Sequence, residues 1–462
     1  MSPAPLKKAS LPPPPLLRKL LGPSFILLGL GLGSGELILW PHLASNFGLG
    51  IMWGALIGIT FQFFINMEIE RYALVTGESI FVGFARKLRL VPIWFILSTI
   101  VPWMWPGIIG SSAVVLGTLL RIENTKFLSI GLLLFVGIIL TLGPVLYKTQ
   151  ELIQRTLIFV GVPFIFALAI YLAEIRDWSS LALGVLGKGD GYWFIPAGLP
   201  LAAFLGALAY SGAGGNLNLA QSFYVKEKGY GMGGYAGRIT SILTGKKEKV
   251  ELEGTTFSCD TESINCFKRW WRLINIEHLV VFWLTGAVTM LLLALLAFIT
   301  IFGTNAGGIQ FLFQEAATIS SQAFPILGVL FLIIAAAMLF STQLGVLDTT
   351  SRILTENLSL LSRKHFPTTT IRRNFYLFLW LQISLGVLIF LLDFAEPLAL
   401  IIIGASLNAI AMFVYIALVL WVNLTSLEKP LRPSPVRILA MLAAFLFFGG
   451  FSLFTVLGIV KA

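Results

Sequence analysis

Apolar residues fall along this chain in long uninterrupted blocks, with neither the alternation of a half-buried strand nor the one-sided stripe of a surface helix. Eleven blocks reach the roughly 20 residues a helix needs to cross the hydrocarbon core of a bilayer. They fall at roughly 23–43, 49–68, 91–119, 127–146, 152–173, 193–224, 276–303, 323–345, 374–393, 396–423 and 436–458. The pattern predicts an all-α polytopic membrane protein with 11 transmembrane helices. The sixth block is long enough to hide a break, and a tight turn from Asp393 to Glu396 joins the ninth and tenth.

Composition agrees with the pattern and narrows the function. Of the 462 residues, 57% are hydrophobic and only 12% are charged, about half the charged share of a soluble domain. Soluble enzymes and disordered scaffolds are thereby excluded, and no enzyme activity is expected. The net charge of +10 is a matter of placement. If the N-terminus is cytoplasmic, the outer segments carry only Arg121, Lys126, Arg176, Lys188 and Lys461 of the 32 Lys and Arg. That bias predicts a cytoplasmic N-terminus and an outside C-terminus, in a multi-pass protein of the plasma (inner) membrane. It also explains the charge without nucleic acid. Cys259 and Cys266 share one polar loop and offer neither a disulfide framework nor a four-cysteine zinc site. The first block has no small-residue cleavage site, so it reads as a span and not a signal peptide.

Residues 1–22 form a Pro-rich basic tail (Pro3, Pro5, Pro12 to Pro15), expected to be disordered or extended near anionic lipid. The cytoplasmic loop at about 225–274 is the longest polar stretch, and its KRWWRL string reads as an interfacial anchor carrying Trp270 and Trp271. Gly229, Gly231 and Gly234 match GxGxxG, but no strand precedes them and no βαβ pattern surrounds them. A GxxxxGK[ST] phosphate loop is missing, so any transport is expected to draw on a gradient and not on ATP.

Two blocks carry glycine clusters. The first holds Gly29, Gly31, Gly33, Ser34, Gly35 and Glu36; the sixth holds Tyr210, Ser211, Gly212, Ala213, Gly214, Gly215 and Asn216. Each glycine costs a helix about 1 kcal/mol relative to alanine. Irregular backbone at membrane depth survives only against protein or a water-filled cavity. Breaks at corresponding places in two halves point to an inverted-repeat transporter with its substrate at mid-membrane. The alternative is that the glycines serve close helix packing.

Glu36 lies about halfway along the first block, where an ionised carboxylate is costly. It is a candidate for a substrate amine or cation, or for a coupling proton. Ser341, Thr342 and Gln343, and Asn408 with Ser406, are weaker signals, because membrane hydroxyls usually bond back to their own helix. Asp348 and Arg352 have the spacing of an ordinary surface pair. His42, His278 and His365 are scattered and form no metal-ligand cluster.

The run from Gly22 to Leu37, GPSFILLGLGLGSGEL, resembles the first helix of the Nramp divalent-metal transporters. ERYALVTGES after the second block, IIGSSAVVLGTLL in the third, and NLNLAQS from Asn216 to Ser222 are similar to that family's corresponding segments. The resemblance spans most of the chain. It implies a leucine-transporter-type fold, with five-helix repeats at 23–173 and 193–423 and an eleventh helix at 436–458. It also implies broken first and sixth helices, and a monomer.

The family's metal motif is replaced. Its first-helix Asp-Pro-Gly-Asn falls on Gly33, Ser34, Gly35 and Glu36, and its sixth-helix Met-Pro-His on Ala213, Gly214 and Gly215. No soft sulfur ligand remains to favour a transition metal. The family's third-helix acids are absent from TIVPWMWPGIIG. The Gly-Ser-Gly of the first block is similar instead to the amino-acid, polyamine and organocation transporters. In those, freed backbone N–H groups hold a substrate carboxylate, as half-helix N-termini can.

The expected function is secondary-active transport by alternating access of a small organic, amino-acid-like or carboxylate-bearing solute. The expected binding set is Gly31, Gly33, Ser34, Gly35, Glu36 and Tyr210 to Asn216, with glycines leaving volume for the solute. A divalent cation of the Mg2+ or Mn2+ type, held by Glu36, Asn216 and waters, is the alternative; a non-transporting sensor or scaffold is the second. No cofactor is expected beyond a coupling H+ or Na+. The proton would sit at Glu36, the sodium among first-helix carbonyls with Ser341 or Thr342.

Overall fold

The computed structural model describes residues 6–15, 22–143, 146–189, 191–237, 239, 252–304, 307–362, 364–393 and 396–461. In chain order the helices are α1 (Pro23–Phe47), α2 (Leu49–Thr76), α3 (Ile80–Lys87), α4 (Val91–Trp103), α5 (Gly107–Leu120), α6 (Lys126–Leu142), α7 (Leu146–Leu172) and α8 (Ile175–Val185). There follow α9 (Leu201–Ala209), α10 (Gln221–Lys228), α11 (Thr261–Ile301), α12 (Gln310–Gln322), α13 (Pro325–Leu361), α14 (Ile371–Leu391), α15 (Pro397–Ser426) and α16 (Pro435–Lys461).

The chain is an all-α multi-pass membrane protein. Among the described residues, nine helical stretches are long and apolar enough to cross a bilayer, counting α4 with α5 as one. The two other expected spans are α6, which has 17 residues, and the interrupted pair α9 and α10. The central axis is α1, whose apolar window is buried throughout; only 28% of the corresponding window is buried in α7 or α16, which therefore stand at the lipid face. A helix apolar on all sides must be wrapped by others, and α1 packs on α7, α9, α11 and α13.

Several expectations change at this level. The third block is two helices, because Pro102 lies inside α4 and Pro106 precedes α5, each lacking the N–H a continuous helix needs. The described part of the tail is extended and docked, not disordered. Lys7–Lys8 pair in parallel with Thr255–Thr256, and Trp270 Nε1 donates to the Pro12 carbonyl at 2.7 Å.

That contact also overturns the interfacial reading of KRWWRL. Trp270 is 2% exposed, and Trp271 lies under the guanidinium groups of Arg71 and Arg437, at 3.9 and 4.7 Å. Asp348 and Arg352 are not a surface pair either. Both are buried in α13, joined at 3.0 Å, and Arg352 binds Glu227 of α10 as well. Gly229 and Gly231 close α10 and begin a short 3-10 turn with positive φ. The turn from Asp393 to Glu396 includes residues 394–395, outside the described residues.

Candidate functional site

The sixth-span break falls where the glycines lie. After α9 ends, residues 210–214 are irregular, and the chain resumes as a 3-10 turn at Gly215–Ala220 that leads into α10. Gly212, Gly214 and Gly215 have φ of 147, 76 and 51°, conformations that side chains disfavour. Neighbouring helices satisfy the freed backbone. Gln62 of α2 donates to the Ala209 carbonyl at 2.9 Å and accepts from the Gly214 N–H at 3.4 Å. Trp40 of α1 donates its indole N–H to Ser211 at 2.9 Å.

The first span does not break, contrary to expectation. It stays hydrogen-bonded through Leu32–Leu39 as a π-helix flanked by α-helical segments. The cause is Thr342 of α13. Its hydroxyl accepts from the Gly33 N–H at 3.0 Å and donates to the Gly29 carbonyl at 2.8 Å, entering the place of the i→i−4 bond between those groups. A side chain inserted in the ladder is a recognised cause of such local widening. Thr342 thus bonds across to α1 and not back to its own helix. Ser341 does bond back, to Met338 at 3.1 Å, and also reaches Gln154 on α7 at 3.3 Å.

Nor do the first-span glycines leave volume. A Cβ at Gly35 would lie 1.7 Å from the Tyr210 carbonyl oxygen, and one at Gly31 would lie 2.5 Å from that of Gly212. These glycines let α1 touch the broken strand of the sixth span backbone to backbone. At Gly33 a Cβ would meet Thr342 Oγ1 at 2.8 Å. The packing reading therefore holds for the first cluster and the break reading for the second. Ser34 and Ala213 are buried in the same region.

Glu36 and Asn216 are not brought together. Glu36 is fully buried, and neither oxygen has a partner among the described residues. Its Oε1 lies beside Gly286 of α11, where Ile59 and Leu28 also meet. Asn216 turns to α4, donating to Ser98 and Thr99 at 2.9 Å each, with its own oxygen unpartnered. Among the described residues no three His, Cys, Asp or Glu cluster to hold a metal ion.

What does gather at the break is a neutral polar and aromatic wall, of which the sequence reading named Tyr210, Asn216 and, as a weaker signal, Asn408, but not Trp103, Ser98 or Thr99. Trp103 of α4 stacks on Tyr210, centroids 5.4 Å apart and planes 11° apart. Asn408 of α15 donates to the Tyr210 hydroxyl at 3.0 Å, and its oxygen, lying against Gly215, is unpartnered among the described residues. Proline breaking α4 beside Ser98 and Thr99 was the available signal for this wall.

No family model and no curated protein matches the chain. Solved structures do resemble it. A variant of the Eremococcus coleocola manganese transporter aligns over 99% of this chain and 90% of its own, at 15% identity and TM-score 0.69. MhsT in complex with L-phenylalanine aligns over 94% and 97%, at 14% identity and TM-score 0.54. Mhp1, a nucleobase-cation-symport-1 family transporter with bromovinylhydantoin bound, aligns over 98% and 95%, at 13% identity and TM-score 0.51. The chain has the fold these transporters share, that of the leucine-transporter type.

Proposed function

We propose that the chain is a secondary-active transporter that carries a small organic, amino-acid-like or carboxylate-bearing solute by alternating access. One observation carries the reading: a glycine-built break partway along the sixth span, walled by neutral groups. A solute carboxylate would be met by N–H groups opening the second half of the sixth span. The free amide oxygens of Asn216 and Asn408 offer acceptors to an amine or amide N–H on the same solute, and Trp103 with Tyr210 supplies an aromatic wall. MhsT, of the same fold, was crystallised with L-phenylalanine.

A metal cargo has less support. Glu36 and Asn216 face different helices, and the thioether and carboxylate positions of the Nramp motif are filled by glycine and alanine. In this reading the protein lies in the inner membrane as a monomer, N-terminus cytoplasmic and C-terminus outside, as the Lys and Arg placement supports. Reconstitution in liposomes tests it. Uptake of one member of an amino-acid and carboxylate panel, driven by a cation gradient, is expected. Uptake of Mn2+ or Mg2+ in its place would overturn the solute class, and no flux of any kind would leave a sensor or scaffold.

A further inference from the structure

The tail that precedes α1 takes no part in the site at the break, yet the bundle provides it with a seat. Lys7–Lys8 pair with Thr255–Thr256, and the Ala9 N–H donates to the Thr256 carbonyl at 2.8 Å. The Tyr235 hydroxyl donates to the Ser10 carbonyl at 2.9 Å. Leu11, 8% exposed, is the one buried side chain of residues 6–15. The Pro12 carbonyl accepts from Trp270 Nε1 and, at 3.6 Å, from Cys266 Sγ. Tyr230 packs beside the Trp270 ring, centroids 5.6 Å apart.

Proline has no N–H to give, so the run Pro12–Pro15 offers a groove only carbonyls and a rigid apolar surface. Aromatic-lined grooves take up proline-rich segments on those terms. Here groove and ligand belong to one chain.

The seat is fixed to three helix ends. Tyr235 closes the turn Gly231–Tyr235, which follows α10 and folds back on it; a Cβ at Gly233 would lie 2.9 Å from the Lys226 Cα. Thr255 follows Gly254, whose N–H donates to Glu78 Oε1 at 3.1 Å, at the corner between α2 and α3. A Cβ at Gly254 would lie 1.9 Å from the Thr76 carbonyl oxygen. Cys266 and Trp270 belong to α11. These helices also reach the break. Trp40 of α1, Gln62 of α2 and Phe282 of α11 meet it, and α10 leads out of it.

We propose that residues 6–15 are a latch. They are a built-in proline-rich ligand that holds the ends of α2, α10 and α11 together. The ligand has to leave its groove before the break can open to the side of the membrane on which the tail lies. The attachment suits a part that releases: a two-residue strand pair is not stable alone, Lys7, Lys8 and Ser10 are exposed, and a single apolar side chain is buried. That the opened break passes a solute rests on the transporter reading; the latch itself does not.

Cys266 is 6% exposed, lies against Leu11 and Pro12, and reports on release. The test uses purified full-length protein carrying Cys259→Ser, alone and with Leu11→Asp, which sets a charge at the buried position, or with Trp270→Phe, which removes the N–H and keeps a ring. Two rates are read: iodoacetamide labelling of Cys266, and hydrogen–deuterium exchange of the Gly215–Ala220 amides at the break. With Leu11→Asp both are expected to rise about tenfold or more, and with Trp270→Phe to rise less. A synthetic peptide of residues 6–15, added to the Leu11→Asp protein at the millimolar level of a tethered ligand, should slow both again, which also shows that the groove is still folded.

Labelling unchanged in both variants would overturn the latch. So would faster labelling with unchanged exchange at the break, since the tail would then let go without freeing it, and so would a peptide that restores neither rate. No solute or gradient is present, so failure of the latch leaves transport standing, and an absence of flux in liposomes leaves the latch standing.

Discussion

At the scale of single residues, Thr342 decides the shape of the central helix. Its hydroxyl both donates and accepts within the α1 ladder, so Thr342→Val strands the Gly33 N–H and the Gly29 carbonyl away from water. Orphaning buried polar groups costs about 1–3 kcal/mol. Thermal melts should therefore show Thr342→Val lowered and Thr342→Ser close to the parent; equal melting of all three would contradict the inserted hydroxyl. This contact was not legible in the sequence, because it joins residues 309 positions apart, and nothing local distinguishes a hydroxyl that crosses to another helix from one that bonds back.

Cys259 reports on the docked tail and loop. Burial, with a hydrogen bond to Glu428 and its charge adding, pushes its thiol up to about 11. The thiolate is the reactive form, so below that pH most of the thiol is protonated and alkylation is slow. In a Cys266→Ser background, iodoacetamide labelling should keep rising beyond pH 9. A plateau near the ordinary thiol range would mean that the loop does not fold around it.

At the scale of elements, two glycine clusters of similar composition do different work. The second breaks its helix because three of its glycines adopt positive φ, which glycine tolerates and other residues resist. The first stays helical and uses its glycines for contact with that break. Sequence alone marked both clusters but not the division between them, since a missing side chain serves strain and close approach alike. Gly35→Ala separates the two roles. Its Cβ would lie 1.7 Å from the Tyr210 carbonyl oxygen, and overpacking of that kind costs about 1–3 kcal/mol or more. Melting of the purified variant should drop accordingly, whereas an unchanged melt would mean that α1 and the break are not in contact. The α4–α5 interruption was written in Pro102 and Pro106, yet the even hydrophobicity of the block concealed it.

At the scale of the whole molecule, the spans and their class were legible because a bilayer demands long apolar runs, and those runs stand out in any window. Burial of ion pairs was not. Asp348 and Arg352 have the same four-residue spacing whether a helix face meets water or another helix, and only the fold reveals that Glu227 of α10 closes on them. This triad ties α10 to α13 below the break. Removing one partner of a buried pair costs about 3–5 kcal/mol, so Asp348→Asn should melt well below the parent, and a surface-like change under 1 kcal/mol would refute the buried triad.

The central claim, that the sixth-span break is a site for an organic solute, is tested most directly by isothermal titration of the purified protein. Wild type and Asn216→Ala would be titrated with amino acids and small carboxylates, and with Mn2+ and Mg2+. The account predicts heat from a member of the organic panel, silence from both metals, and loss of that heat in Asn216→Ala. Heat from Mn2+ or Mg2+ with silence from the organic panel would contradict it.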